Sequence, residues 1–130
     1  MILVICIDKT DGMLFGGKRQ SKDKLLRERL LEHAAASRLL VNAFTAKQFE
    51  EEGFFLSEDP VGDAKSGEFV FLEDAELPRE NIEKILLYHW NRRYPADRYF
   101  DRSLLHGRKR TKKNDFAGSS HERITEEIWE

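Results

Sequence analysis

Nucleophiles, bases and metal ligands are few and scattered in this 130-residue sequence. The histidines are His33, His89, His106 and His121, and none stands at a spacing such as His-x-x-x-His. The single cysteine, Cys6, lies between Ile5 and Ile7. The spacing therefore predicts no metal centre. It also predicts a buried, structural thiol, because a reactive one needs access and a lowered pKa. His33 falls near the apolar stripe of a helical segment and His89 adjoins Trp90, so both read as structural. His121 is the unusual one. It sits inside Ser119-Ser120-His121-Glu122, a capping-box sequence, where a positive charge at a helix N-terminus is unfavourable. His106 and His121 are thus the candidate acids or bases. Ser119 and Ser120 would need a base and an oxyanion hole to act as nucleophiles, and capping explains them without chemistry.

Anion recognition has two candidate sources. Gly16-Gly17-Lys18, followed by Arg19, could cradle an anion on backbone N–H groups, although the full Gly-x-x-x-x-Gly-Lys-Ser/Thr pattern is absent and a plain turn is the simpler reading. The second source is charge blocks. Residues 18–29 carry six basic and two acidic groups, and residues 108–113 carry five basic and no acidic groups. Were the two runs to meet, Arg108, Lys109, Arg110, Lys112 and Lys113 would join Lys18, Arg19 and Lys22 in a nucleic-acid patch. Tyr94, Tyr99 and Phe100, among Arg92, Arg93 and Arg98, would suit stacking on single strands. Separate solvated faces are the plainer alternative.

The whole chain bounds these readings. Basic and acidic residues number 22 and 24, a formal charge of −2, so a strongly basic nucleic-acid module is not indicated. Apolar residues are 40% and charged residues 35%, with 8 Gly and 3 Pro, which excludes collagen-like and mostly disordered classes. The length fits one domain, 1–130, able to bury roughly two-thirds of its extended surface. One cysteine cannot form an intrachain disulfide, and no basic segment precedes the first apolar run. Both point to a cytoplasmic chain with no membrane segment.

The elements follow from periodicity. Residues 2–7 are continuous apolar and β-branched residues, predicting a central strand covered on both faces. Asp8 to Gly12 is turn chemistry. Residues 22–36 carry Leu26, Leu30 and Ala34 at i, i+4, i+8, predicting an amphipathic helix. Leu39-Leu40-Val41 reads as a second buried strand. Thr45-Ala46-Lys47-Gln48 reads as a capping box opening a helix to about Glu52, with Gly53 beyond its end. A polar loop spans 57–67, and a strand 68–72. A helical turn is expected near Pro78, and a central strand over 85–90. Residues 106–115 read as an exposed strand or a loop. The C-terminal segment after Ser120, with Ile124 and Ile128 at i, i+4, reads as a helix, with a strand as the alternative. The order predicts an α/β sandwich with a central mixed, partly parallel sheet flanked by helices.

This outline resembles a reduced dihydrofolate reductase. The similar segments are strand 2–7, the Asp8–Gly12 turn, Gly16-Gly17-Lys18, a helix starting near Asp23, and Val41-Asn42-Ala43-Phe44-Thr45 with Phe49-Glu50. Ile85 to Trp90 followed by Ala96-Asp97-Arg98-Tyr99-Phe100 is similar too. The resemblance implies that Asp23 takes the family's acidic position. It also implies that Gly16, Gly17, Lys18, Arg19 and Thr45 line the ligand cleft. The departures are specific. The family's Leu-Pro-Trp is Arg19-Gln20-Ser21 here, its phosphate-binding Arg before the Thr is Ala43 or Phe44, and its paired-glycine turn opening a helix is missing. Without that turn the pyrophosphate site is lost, and the chain looks too short for the dinucleotide-binding unit. A fainter resemblance runs through Arg19-Gln20-Ser21, Ala46 to Glu50 and Tyr94 to Asp97. It is to small uncharacterised proteins of Gram-positive bacteria, some labelled ribonuclease Z, although that enzyme's His-x-His-x-Asp-His cluster is absent.

The expectation is a non-catalytic or degenerate reductase-like domain with no cofactor, binding a protein partner or a small anionic ligand. An RNA-binding or RNA-processing protein using 18–29 and 108–113 is the alternative. An inhibitor or immunity-type interaction protein is a third.

Overall fold

The computed structural model describes residues 1–130. The apolar N-terminal run forms β1 (Ile2–Ile7) at the heart of a seven-stranded sheet. On one side β1 pairs in parallel with β6 (Phe69–Phe71), which pairs in parallel with β4 (Leu39–Val41), itself parallel to β5 (Phe55–Leu56). On the other side β1 pairs in parallel with β7 (Lys84–His89). Two antiparallel strands, β10 (Ile124–Trp129) and β9 (Arg110–Phe116), complete that side.

Alternation along β1 divides the core. Leu3, Ile5 and Ile7 face one cluster, which includes Met13, Leu14, Phe100, Leu104 and Leu105. Val4 faces the other, with Leu26, Leu30, Val41, Phe71, Leu86 and Tyr88. The second face is covered by the one long helix, α1 (Lys24–His33), whose predicted stripe of Leu26, Leu30 and Ala34 packs there. The first is closed by a small antiparallel sheet, β3-β2-β8 (Lys18–Arg19, Gly12–Phe15, Arg98–Tyr99), and a 3-10 turn at Arg102–Leu105. Parallel strands need such crossovers, because a two-residue turn cannot return the chain in the same direction.

Four local expectations change. The C-terminal segment is strand β10, not a helix. Ile124 and Ile128 fit a period of two as well as one of four, and β7 and β9 offer a hydrogen-bonding ladder on each side. The expected helix over 45–52 is α2 (Ala43–Ala46), capped by Asn42, whose side-chain Oδ1 accepts from Thr45 N–H at 3.0 Å. Thr45 is therefore inside the turn and buried, not the cap. A one-turn α3 (Pro60–Asp63) interrupts the polar loop, because Asp59 caps it and Pro60 supplies the fixed φ of a first helical residue. No helical turn forms at Pro78. The basic run resolves as edge strand β9, where exposed lysines oppose edge-to-edge pairing.

β10 brings a carboxylate into the core. Glu126 is 1% exposed and accepts from Tyr88 Oη at 2.8 Å, Arg29 Nε at 2.9 Å and His33 Nε2 at 3.0 Å. Burial alone would raise its pKa, but bonds from His33, Arg29 and Tyr88 outweigh burial and hold it at about 2. A folded-state value below the unfolded value of about 4.3 adds stability above that pH, lost as pH falls toward the folded value. Acid titration of unfolding is expected to show this loss between about pH 4.5 and 2, and Glu126→Gln is expected to flatten that limb.

Candidate functional site

In open parallel sheets, ligands sit in the crevice beyond the carboxyl ends of the strands. Here β1 ends in Asp8, β6 in Leu72-Glu73 and β7 in Trp90, and strand order reverses about β1. Asp8 is 1% exposed and accepts from the N–H groups of Thr10, Gly12 and Tyr94, from Thr10 Oγ1 and from Gln20 Nε2. Burial opposes its charge, but these donors together hold its pKa below the usual range. With its lone pairs taken, Asp8 ties loops together.

Next to it the crevice is filled by an ion pair. Arg19 grips Glu73 in a bidentate pair at 2.8 and 2.9 Å, donates to the Phe44 carbonyl at 2.8 Å, and lies 4.7 Å from the Phe44 ring centre. Burial pushes the Glu73 pKa up despite Arg19. Thr45 and Gln48 lie beside this carboxylate, yet Thr45 Oγ1 and Gln48 Nε2 have no hydrogen-bond partner, nor has Gln20 Oε1. Cys6 borders the same cluster, half-buried, and burial followed by the Glu73 charge pushes its thiol well up. The thiol is thus inert, for an electrostatic as well as a steric reason.

A second buried pair forms where α1 begins. Asp23 caps α1, its Oδ1 accepting from the N–H groups of Leu25 and Leu26 at 3.0 and 3.2 Å. The same carboxylate accepts from the N–H groups of Ser119 and Ser120 at 3.0 and 2.9 Å and pairs with His121 Nδ1 at 3.0 Å. Burial would raise the Asp23 pKa, but His121 and the N–H groups of Ser120, Ser119 and Leu26 hold it far below the usual range. Asp23 therefore stays ionised and, able only to accept, requires a proton on His121 Nδ1. The Nε2 atom then faces Ser21 Oγ at 2.9 Å and Tyr94 Oη at 3.1 Å. The His121 ring is 4% exposed and stacks on Trp90, centroids 4.6 Å apart. Gly118 lets its loop close on Asp23, since a Cβ there would collide with the Asp23 carboxylate and lie 2.9 Å from Ile124 Cδ1.

The other sequence-derived candidates lie elsewhere. Gly16 and Gly17, both at positive φ, form the two-residue turn between β2 and β3, and Gly16 N–H is given to Asp97 at 2.9 Å. Lys18 is exposed on that hairpin, and Arg19 is neutralised by Glu73. His106 is exposed at the far end of the sheet, two residues before Arg108, which donates to the carbonyls of Ile82 and Glu83 ahead of β7. Arg110 pairs with Glu127. The basic runs therefore do not meet, because Lys18–Lys22 is at the carboxyl ends of the parallel strands and residues 108–110 at the opposite ends. Of the 108–113 run, Lys109, Lys112 and Lys113 have no carboxylate partner within ion-pair distance. His33 is not interior: it is at the exposed end of α1, on Glu126. His89 pairs with Glu127 at 2.7 Å. No group of three His, Cys, Asp or Glu side chains converges with metal-binding geometry. No helix is long and apolar enough to cross a membrane.

Sequence reasoning missed Ser21 and Trp90, and offered Tyr94 only as a stacking aromatic and not as a partner of His121. Ser21 and His121 are 100 residues apart, so no spacing could report them. The unfavourable place of His121 in an apparent capping box was the one available signal.

No protein-family model and no curated protein matches the sequence. The ribonuclease Z likeness thus finds no support. Among solved structures, the chain is similar to a dihydrofolate reductase from Enterococcus faecalis, complexed with NADP(H) and RAB-propyl, at TM-score 0.62 and 10% identity. The match covers 98% of this chain and 94% of that one, so shortness is not what separates the two. The difference is local. β7 runs into Trp90-Asn91-Arg92-Arg93, no helix follows it, and the crevice beside Cys6 holds Arg19–Glu73. These residues do not fit the family's dinucleotide, which needs a helix N-terminus and close backbone approach. At this identity the likeness establishes one thing about the chain: its fold is that of dihydrofolate reductase.

Proposed function

We propose that this chain is a degenerate reductase-like domain that binds a small anionic ligand at the Asp23–His121 rim and performs no hydride transfer. The observation that carries the reading is the pairing of a buried, pre-oriented imidazole with unpaired cations. Ten of the twelve arginines give their guanidinium groups to protein acceptors. The two without a partner are Arg92 and Arg93, on the loop that delivers Tyr94 to His121. Arg92 also lines a cavity of about 350 Å³ with Trp90, Asn91, Glu122 and Arg123, and that Trp90 carries the stacked His121. Arginines left free beside a concave site favour carboxylate or phosphate groups.

The test has two arms. Titration with reduced nicotinamide dinucleotide phosphate, followed by fluorescence, is expected to show no saturable binding. Tight binding with turnover of a pterin would overturn the reading. Titration with inorganic phosphate or succinate, followed by NMR of the His121 ring, is expected to shift its resonances saturably. The shift should weaken with salt, and be lost in Arg92→Gln/Arg93→Gln.

A further inference from the structure

The geometry points to Ser21 as a nucleophile that His121 activates toward small esters carrying a carboxylate or phosphate. The inference rests on the proposed anion site and names its chemistry. Ser21, His121 and Asp23 stand in the relation that defines a hydroxyl nucleophile, its base and the group that orients the base. Ser21 Oγ is 2.9 Å from Nε2, and Asp23 Oδ2 is 3.0 Å from Nδ1. Ser21 is half-buried, and so reachable, whereas Asp23 and His121 are 1% and 4% exposed. The base is held by its Trp90 stack and its bond to Asp23, so no reorientation precedes reaction.

Two further features fit. The backbone N–H groups of Ser21 and Lys22 donate to no protein acceptor, leaving the nucleophile's own amide and the next one for a developing oxyanion. Tyr94 Oη, at 3.1 Å from the same Nε2, is a second hydroxyl in the site. It competes with Ser21 for Nε2 while the site is empty and is available to the leaving oxygen when an ester is bound.

The step balances without a cofactor. The Ser21 Oγ–H proton passes to His121 Nε2 as Oγ bonds to the ester carbonyl carbon. The tetrahedral oxyanion collapses, the ester C–O bond breaks, and the leaving alkoxide takes the proton from Nε2. Water then attacks the acyl carbon, gives a proton to Nε2, and releases a carboxylic acid while the proton returns to Ser21 Oγ. Asp23 touches no reacting atom and is a positioning residue.

The test uses the full chain and an alkyl fluorophosphonate, read by intact and peptide mass spectrometry. One adduct on Ser21, with loss of fluoride, is expected. Ser21→Ala should remove it, and His121→Gln should slow it by roughly 100-fold or more. Ser21→Ala removes a single half-buried hydroxyl and so remains informative if His121→Gln does not fold. His106→Gln, exposed at the far end of the sheet, should keep the adduct. No adduct on the wild-type protein, or the same adduct on Ser21→Ala, overturns the inference. If succinate still shifts His121 in that case, the anion site stands without the nucleophile. Hydrolysis of mono-p-nitrophenyl succinate should exceed that of p-nitrophenyl acetate, and Arg92→Gln/Arg93→Gln should remove the preference. Equal hydrolysis of both esters by unlabelled protein, once Ser21 has been shown to take the adduct, overturns the anionic specificity.

Discussion

Asp23→Ala is expected to lower the unfolding free energy by about 3–5 kcal/mol, because several buried donors lose one shared, charged acceptor. Asp23 does several jobs at once. It caps α1 through Leu25 and Leu26 N–H, holds the 118–121 loop through Ser119 and Ser120 N–H, and receives His121 Nδ1. The cap alone is worth about 1 kcal/mol, so most of the loss comes from donors left buried without an acceptor. Asp23→Asn should fall between the two proteins. Its oxygen can serve one set of donors, but its NH2 must face the others. Urea unfolding at pH 7 checks both variants. A domain of this size has about 5–15 kcal/mol in total, so Asp23→Ala should lie near the limit of folding. A loss under about 1 kcal/mol would show that the loop and the helix do not depend on this carboxylate.

Arg19→Met is expected to cost about 3–5 kcal/mol at neutral pH, because it leaves Glu73 buried without its cation. Glu73 is 8% exposed, and burial already outweighs Arg19 in setting its pKa. Losing Arg19 raises that pKa further. A carboxyl with a folded pKa above its unfolded pKa destabilises the fold as pH rises between the two values. The deficit of Arg19→Met should therefore be small near pH 4 and grow toward pH 7, the reverse of the Glu126 trend. The double variant Arg19→Met/Glu73→Leu should recover most of the loss, since apolar replacement of a buried ion pair is often neutral. The Phe44 carbonyl then loses Arg19 but keeps the Lys47 N–H at 3.3 Å. Unfolding of the four proteins at two pH values gives the coupling directly. A double variant no more stable than Arg19→Met would show that the crevice needs the pair for its shape.

The contrast between these two pairs explains what was legible beforehand. β1, β4, β6, β7 and α1 were readable because their signal is local: continuous β-branched runs for buried parallel strands, and a stripe at i, i+4, i+8 for a helix lying over them. The C-terminal segment was read as a helix because Ile124 and Ile128 satisfy two periods. The burial of Glu126 there depends on Arg29 and His33, which arrive from α1. The apparent cap at Ser119-Ser120 was real hydrogen-bonding capacity used elsewhere. Those residues donate to Asp23, 96 and 97 positions away, instead of starting a helix.

Local pattern thus determined the class of fold, the central strand and the long helix. It also determined that charge lies in blocks, since six of the 22 basic residues fall in 18–29 and five in 108–113. Pattern could not decide where those blocks go. The sheet directions place 18–22 and 108–110 at opposite ends. Nor could it join Ser21, Asp23, Tyr94 and His121, or turn Arg19 inward onto Glu73. Hydrophobic periodicity is a property of neighbours along the chain, whereas a polar site is a set of distances between loops that only the closed sheet brings within 3 Å.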